Sequence, residues 1–276
     1  MCVRYGPIMR TAPRALLSSL VGVALATSGV LVANAASAVP RPPIQADALG
    51  DSYAAGVGVP PYDGPCARSQ SAYAVQLDGR MKIELDDFVA CAGATTVTLV
   101  SGGQLNALDA DTDLVTLTIG GNDIRWGNAV GACLYLDDAT CAGALALATQ
   151  AITRTLPGLL DTVYSQVAAS APSAHVVVTG YPRLFSPEYG AYLGASTSEQ
   201  QAMNDGADLL NTVIARAAAA KGFQFVDVTE RFVDHGVNSP EAWILGPGAA
   251  AFHPNLDGYK AYTAALTSQI NPSRLR

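Results

Sequence analysis

The chain has 276 residues, of which 50% are hydrophobic and only 14% are charged. Acidic residues outnumber basic ones by 23 to 16, and the basic residues form no cluster, which argues against binding to nucleic acid or to an anionic lipid surface. We interpret the excess of negative charge as a contribution to solubility.

The first 38 residues differ from the rest of the sequence. Three arginines, the only charged residues there, precede or flank an apolar run over residues 15–33, and an Ala-Ser-Ala triplet ends at Ala38. This order predicts a secretory signal peptide, residues 1–38, that is cleaved after Ala38. A retained membrane anchor is the alternative, but small residues dilute the apolar run. Cleavage leaves residues 39–276, with 13 basic and 23 acidic side chains and a net charge of −10, and this length suits a single α/β domain.

Short apolar segments alternate with helix-like ones along the remaining chain. The predicted strands are Ile44–Leu49, Lys82–Phe88, Leu114–Ile119, His175–Thr179 and Phe223–Val228. The predicted helices are Ser71–Gly79, Ala144–Ser170, Glu199–Lys221 and Asp257–Ile270. We expect the second helix to kink near Pro157. The third helix is expected to begin after an N-cap at Ser198, with Gln201 three residues on, and to end at Gly222.

The third and fourth strands are apolar almost throughout and rich in β-branched residues. This is typical of strands that are covered on both faces, and hence of a parallel sheet between two layers of helices. The alternation of strands and helices predicts an open, doubly wound sheet. In such sheets the active residues gather beyond the carboxyl ends of the strands.

Four cysteines remain after the leader, which takes Cys2 with it. An even number in an exported protein predicts two disulfides, for which three connectivities are possible. We favour Cys66–Cys91 and Cys133–Cys141 because this sequential pairing closes short loops. A metal site is the alternative, but no C-x-x-C or H-x-H spacing supports it, so we expect no metal.

Two candidate segments follow the first two strands. Ser52 lies three residues beyond the first strand in Gly-Asp-Ser-Tyr, where glycine permits a tight turn that presents the hydroxyl at the edge of the sheet. An ordinary helix N-cap would look the same. Gly93, just past the second strand, would let a backbone N–H face a bound oxyanion, although a simple turn glycine explains it equally well.

Two further segments complete the set. Asn122 lies in Gly-Gly-Asn-Asp directly after the most apolar strand, and its amide is suited to donate to a developing negative charge. His253, followed by Pro254, precedes the last helix. Only three histidines are present, and the other two, His175 and His235, open a buried strand and lie in a polar loop. A lone histidine is usually structural, so position alone does not single out His253 as a general base.

In the order Ser52, Gly93, Asn122 and His253, these blocks resemble the GDSL, or SGNH, hydrolase family, in particular the secreted actinobacterial lipases and esterases. The resemblance implies a three-layer α/β/α sandwich with a parallel, flavodoxin-like five-stranded sheet. It also implies that Ser52 is the nucleophile and His253 the general base and then acid. The backbone N–H groups of Ser52 and Gly93 and the side-chain amide of Asn122 would form the oxyanion hole.

One position departs from the family pattern. Many members have an aspartate three residues before the histidine to orient its ring, and here that position is Ala250. Either a backbone carbonyl at Ala250 orients His253, or a distant carboxylate such as Asp257 or Asp234 does so. We favour the carbonyl. Asp51 and Asp123 are interpreted as hydrogen-bonding groups that hold the motif loops.

The sequence therefore predicts a secreted serine esterase or lipase that hydrolyses lipid-like or short-chain acyl esters through an acyl-enzyme on Ser52. A carbohydrate acetylesterase or phospholipase of the same fold, and an inactive secreted binding protein, remain as alternatives. An α/β-hydrolase is disfavoured because G-x-S-x-G is absent around the serine. We expect no cofactor, no stable membrane insertion after cleavage, and a monomer. Aromatic side chains that could line an acyl pocket are Tyr53, Trp126, Trp243 and Phe252.

Overall fold

The computed structural model describes residues 42–275. The predicted leader, residues 1–38, lies outside the described residues, so its cleavage remains a prediction. The strands are β1 (Ile44–Gly50), β2 (Tyr62–Asp63), β3 (Arg68–Ser69), β4 (Ile83–Phe88), β5 (Leu114–Thr118), β6 (His175–Thr179) and β7 (Gln224–Val226). The helices are α1 (Ser52–Ala55), α2 (Tyr73–Leu77), α3 (Thr96–Ser101), α4 (Trp126–Tyr135), α5 (Asp138–Gln150), α6 (Leu156–Ser170), α7 (Thr197–Ala220) and α8 (Leu256–Gln269).

Five of the strands form one parallel sheet in the order β4-β1-β5-β6-β7, and β2 and β3 form a small antiparallel pair. The five strands of the main sheet begin and end within two residues of the predicted positions. Their apolar character predicted burial on both faces, and every residue of β5 is buried. The structure thus confirms the parallel α/β/α sandwich.

Successive side chains of a strand point to opposite faces, so the sheet contributes to two cores. On one face, Val177 packs with buried residues of α2 and α8. On the other, Val176 and Val178 pack with buried residues of α3, α6 and α7. The helices are thereby held on both sides of the sheet, and the carboxyl ends of the strands are left open at one edge.

Two differences between the predicted and the observed helices have a clear physical reason. Helix α7 begins after an N-cap at Ser196 rather than Ser198, because Ser196 and Glu199 form a reciprocal capping box. The predicted helix Ala144–Ser170 is two α-helices, α5 and α6, joined by a π-helical turn at Ala151–Thr155. Pro157 lies in the first turn of α6, where a missing N–H costs no intrahelical hydrogen bond.

Both disulfides join the cysteines in sequential order. Cys66–Cys91 ties the loop between β2 and β3 to the loop after β4, and Cys133–Cys141 ties α4 to α5. A membrane span would need a longer and more apolar helix than any found within residues 42–275.

Candidate active site

The candidate nucleophile follows a tight turn whose backbone conformation and surroundings admit only glycine. Gly50 ends β1 with φ +130°, and a Cβ there would lie 2.3 Å from the carbonyl oxygen of Thr118 on β5. Gln104 holds both sides of the turn, since its Oε1 accepts the Gly50 N–H at 2.7 Å and its Nε2 donates to the Gly50 carbonyl at 3.0 Å. Asp51 then caps α1, so Ser52 begins that helix at the edge of the sheet.

Ser52 and His253 are 201 residues apart in sequence but in direct contact. The distance from Ser52 Oγ to His253 Nε2 is 2.7 Å, and the distance from His253 Nδ1 to the carbonyl oxygen of Ala251 is 3.0 Å. Because a carbonyl can only accept, Nδ1 carries the proton and Nε2 accepts the hydrogen bond from the Ser52 hydroxyl. Burial lowers the pKa of His253 below its ordinary value, against the opposing effect of the nearby carbonyls. The neutral form, which can take up a proton, therefore prevails at neutral pH.

His253 Nδ1 forms its hydrogen bond with the carbonyl of Ala251, and the carbonyl of Ala250 also acts on the imidazole, since both raise its pKa. The Ala250 carbonyl accepts the backbone N–H of His253 at 3.3 Å. Phe252 lies in the left-handed region with φ +60°, and this turn directs the Ala251 carbonyl to the imidazole. The alternative orienting group Asp257 forms an ion pair with Lys260 at 2.9 Å. Among the described residues, no carboxylate contacts His253 Nδ1.

The other two histidines are engaged elsewhere. His175 Nε2 lies 2.7 Å from the side-chain oxygen of Gln224. His235 Nδ1 lies 2.7 Å from the Glu241 carbonyl, and its ring stacks on Trp243 with centroids 3.6 Å apart. Trp243 consequently does not line the cleft at Ser52, contrary to what its aromatic character suggested.

Asn122 lies beside Ser52 in the cleft, whereas Gly93 lies on the neighbouring loop. Asn122 Nδ2 donates one hydrogen bond to the Ala94 carbonyl at 2.9 Å, which leaves the second N–H of the amide available. Gly93 is exposed, has φ +80°, and does not line the cleft. Its backbone N–H has no acceptor among the described residues. The oxyanion roles of both residues remain predictions.

A buried hydrogen-bonded chain connects the two glycine motifs. The Gly121 N–H donates to the Tyr181 hydroxyl at 3.0 Å, and that hydroxyl donates to Asp51 Oδ2 at 2.5 Å. Asp51 Oδ1 accepts the Tyr53 N–H at 2.9 Å. Desolvation raises the pKa of Asp51 to about 7. In the same way, Asp123 accepts hydrogen bonds from the backbone and side chain of Thr96, so both aspartates hold loops as expected.

Tyr181 was not singled out from the sequence. It follows β6, yet its partner Asp51 is 130 residues away, and no local pattern marks such a contact. The only available signal was its place beyond the carboxyl end of a buried strand, where active residues of open sheets gather.

The cleft that opens at Ser52 is bounded mainly by apolar side chains. These are Trp126, Val130, Leu184, Ala207, Leu210 and Phe252. A Cβ at Gly206 would lie 2.4 Å from Trp126 Cη2, so glycine at this point of α7 makes room for the indole. Tyr53 also lines the cleft. Three of the four aromatic side chains predicted to line a pocket, Tyr53, Trp126 and Phe252, thus line this cleft.

Known proteins share both the sequence and this architecture. Residues 48–261 match the model of the GDSL-like Lipase/Acylhydrolase family. Lipase 1 of Streptomyces coelicolor is 38% identical over 252 residues, which cover 88% of this chain and 92% of the relative. The structure is similar to that of phospholipase A1 from Streptomyces albidoflavus, with 38% identity and a TM-score of 0.77 over 82% of this chain and 99% of that one. An extracellular lipase from Streptomyces rimosus matches with 36% identity, the same TM-score and the same coverage. The chain therefore belongs to the GDSL-like lipase/acylhydrolase family and is a carboxylic-ester hydrolase.

Proposed function

We propose that the chain is a secreted serine esterase or lipase that cleaves acyl esters through an acyl-enzyme on Ser52. One observation carries the proposal: Ser52 Oγ, the His253 imidazole and the Ala251 carbonyl form a continuous hydrogen-bonded chain at the mouth of an apolar cleft. A serine hydroxyl becomes a competent nucleophile when an adjacent base removes its proton. The neutral imidazole supplies that base.

In the first half of the reaction, Ser52 Oγ attacks the ester carbonyl carbon while His253 Nε2 takes the hydroxyl proton. The tetrahedral intermediate collapses as His253 returns the proton to the departing alcohol oxygen. The Ala251 carbonyl keeps the imidazolium oriented between these two transfers. In the second half, water attacks the acyl-enzyme by the same route, and the carboxylic acid leaves.

The oxyanion requires donors that are in place before it forms. Asn122 supplies the free N–H of its amide, because its other N–H is fixed on Ala94. Ser52 supplies its backbone N–H, which lies in the first turn of α1 and so lacks an intrahelical acceptor. Gly93 would supply a third N–H from the loop after β4, which the Cys66–Cys91 disulfide ties to the loop between β2 and β3.

The lining of the cleft favours a lipid-like or short-chain acyl ester, and not an acetylated carbohydrate, as the substrate. Trp126, Val130 and Leu210 present apolar surface in the same cleft as the serine, which suits a hydrocarbon chain. The relative from Streptomyces albidoflavus is called a phospholipase A1, which acts on a lipid ester. All the groups in the cleft come from a single chain, so we expect a monomer to be active.

Secretion is part of the proposal. Residues 1–38 have the order of a signal peptide, residues 39–276 form the hydrolase domain, and two disulfides suit an oxidising compartment. The relative from Streptomyces rimosus is called an extracellular lipase. N-terminal sequencing of protein from the culture medium should begin at Val39. Protein that stays with the cells with its leader attached would contradict secretion.

Hydrolysis of p-nitrophenyl esters from acetate to palmitate, measured in parallel with hydrolysis of acetylated xylan, tests the proposed substrate class. We expect turnover of the acyl esters and none of the xylan. Ser52→Ala and His253→Ala should each lower kcat by about 10⁴-fold or more, because nucleophile and base act as a unit. Turnover of xylan alone would favour a carbohydrate acetylesterase. A folded wild-type protein that hydrolyses none of these esters would favour a binding protein.

A further inference from the structure

The loop that carries His253 lacks the charged partner that many relatives use. We define the histidine loop as residues 245–255. Apart from its hydrogen bond with Ser52, the imidazole is held by a hydrogen bond from Nδ1 to the neutral carbonyl of Ala251, and position 250 is alanine. The direction of the Ala251 carbonyl depends on the backbone that follows it. Whatever fixes that backbone also sets the angle at which the imidazole meets Ser52.

The backbone at this point is in an unfavourable conformation. Phe252 has φ +60°, a left-handed conformation that is strained for a bulky residue and persists only where surrounding contacts enforce it. Its N–H donates to the Leu245 carbonyl at 2.9 Å, and the Leu245 N–H donates to the His253 carbonyl at 2.9 Å. The remaining polar group of Phe252 is its carbonyl, which points towards the nucleophile.

Tyr53, the residue after the nucleophile, donates a hydrogen bond to that carbonyl. Its hydroxyl donates to the Phe252 carbonyl oxygen at 2.5 Å, and its ring lies 5.1 Å from the His253 ring between centroids. On the assumption that the proposed function is correct, we propose that Tyr53 is a positioning residue that fixes the histidine loop and thereby the imidazole. The motif that names the family has leucine at this position, and a leucine could not make this bond.

Tyr53 is itself firmly placed. Its backbone N–H is bound to Asp51, and its ring contacts the edge of Tyr181 with centroids 5.1 Å apart. Burial raises the pKa of its hydroxyl far above the ordinary value, so the group is always a donor. A rigid donor on the nucleophile side thus reaches across the cleft to the histidine side. One side chain fixes the separation of the two catalytic groups.

Tyr53→Phe removes this donor and leaves the ring in place. We expect kcat to fall on the order of 10- to 100-fold with KM changed by less than about twofold, because small displacements of a catalytic group cost about this much in rate. Inactivation by a small organophosphate that leaves the acyl cleft empty should slow by the same factor. The rate of this inactivation depends on the relative positions of the serine and the histidine and not on the binding of an acyl chain.

Tyr259→Phe is the matched control. The Tyr259 hydroxyl is buried and also donates to a backbone carbonyl, but to that of Val57 at 2.8 Å and not to a residue of the histidine loop. Both variants should lose similar thermal stability, and only Tyr53→Phe should lose kcat. Equal losses of kcat in both, or an unchanged kcat in folded Tyr53→Phe, would overturn the positioning role. A folded wild type without activity would contradict the proposed function. An active wild type with an inactive Ser52→Ala and a normal Tyr53→Phe would contradict only the positioning role of Tyr53.

Discussion

The two loops that meet at the candidate active site are held in different ways. The nucleophile loop, residues 50–53, is bound by side chains from distant segments: Gln104 clamps Gly50, and Tyr181 donates to Asp51. The histidine loop is bound mainly by its own backbone, with the Ala251 carbonyl on the imidazole and paired hydrogen bonds between Leu245 and residues 252–253. Two side-chain hydrogen bonds join the loops, one between Ser52 and His253 and one from Tyr53 to the Phe252 carbonyl.

The difference shows how the same precision can come from two sources. A buried carboxylate with fixed donors gives a rigid turn, at the cost of a group that resists ionisation. On the histidine side, burial lowers the pKa of His253, and the backbone carbonyls that orient the ring raise it by less. A neutral partner stabilises the imidazolium less than a carboxylate would. The histidine side should therefore be the more easily disturbed half of the site.

After Ser52 and His253 themselves, the largest effect is expected for Asn122, which lies in the same cleft but belongs to neither loop. Asn122→Ala should lower kcat by about 100- to 1,000-fold, because one preorganised donor to the oxyanion is lost. KM for a short-chain p-nitrophenyl ester should change little. Asn128→Ala, on the exposed side of the same segment, serves as the control and should behave as wild type. A decrease in kcat of less than tenfold would show that Asn122 does not belong to the oxyanion hole.

A second test concerns the buried carboxylate of the nucleophile loop. The pKa of Asp51 is raised to about 7 in the folded protein, so the folded state binds a proton that the unfolded state releases at its ordinary value of 3.8. The stability that this proton confers is full below about pH 4 and is lost as the pH rises through about 7. Urea unfolding should therefore show a wild type less stable at pH 8 than at pH 5, and a smaller difference in Asp51→Asn. An identical difference between pH 5 and pH 8 in the wild type and in Asp51→Asn would contradict a raised pKa of this carboxylate. The exposed Asp138→Asn variant is the control.

The pH dependence of kcat/KM tests the histidine side in turn. Only neutral His253 can take the serine proton, so activity should fall as the pH drops through its pKa. Because burial lowers that pKa and no carboxylate opposes it, the midpoint of the acid limb should lie below the ordinary value of 6.5. A midpoint above 6.5 would indicate a carboxylate beside the imidazole.

The smallest effect is expected for the acidic residue closest in sequence. Asp257→Asn should leave kcat within about twofold of wild type, since Asp257 pairs with Lys260 and surface ion pairs contribute little. Steady-state kinetics on the same ester gives the answer. A loss as severe as that of Ser52→Ala would show that a carboxylate, after all, orients His253.

The fold was predictable because its strands carry their own signal. The apolar, β-branched runs at β5 and β6 indicated a buried parallel sheet directly, and their ends agree with the structure within a residue or two. Helix α4 was missed because glycine and alanine dilute its apolar stripe, and its start at Trp126 follows Arg125 in the left-handed region rather than a recognisable cap. Ser196 was passed over for Ser198 because several small polar residues there suit the role of N-cap equally well.

The candidate site was predictable where side chains carry the chemistry, and less so where the backbone does. Ser52, Asn122 and His253 are marked by residue type and by their place after a strand or before a helix. Ala251 is marked by neither, because any residue has a carbonyl and its direction follows from the left-handed turn at Phe252. Tyr181 escaped notice for a related reason, since its meaning depends on a partner far away in sequence.

The central claim is that Ser52 forms the covalent intermediate with His253 as its base, and mass mapping of a fluorophosphonate adduct tests it most directly. We expect one adduct per folded chain, on the peptide that contains Ser52, and a rate of labelling in His253→Ala that is lower by orders of magnitude. An adduct on another residue, or an intact chain that is not labelled at all, would contradict the account.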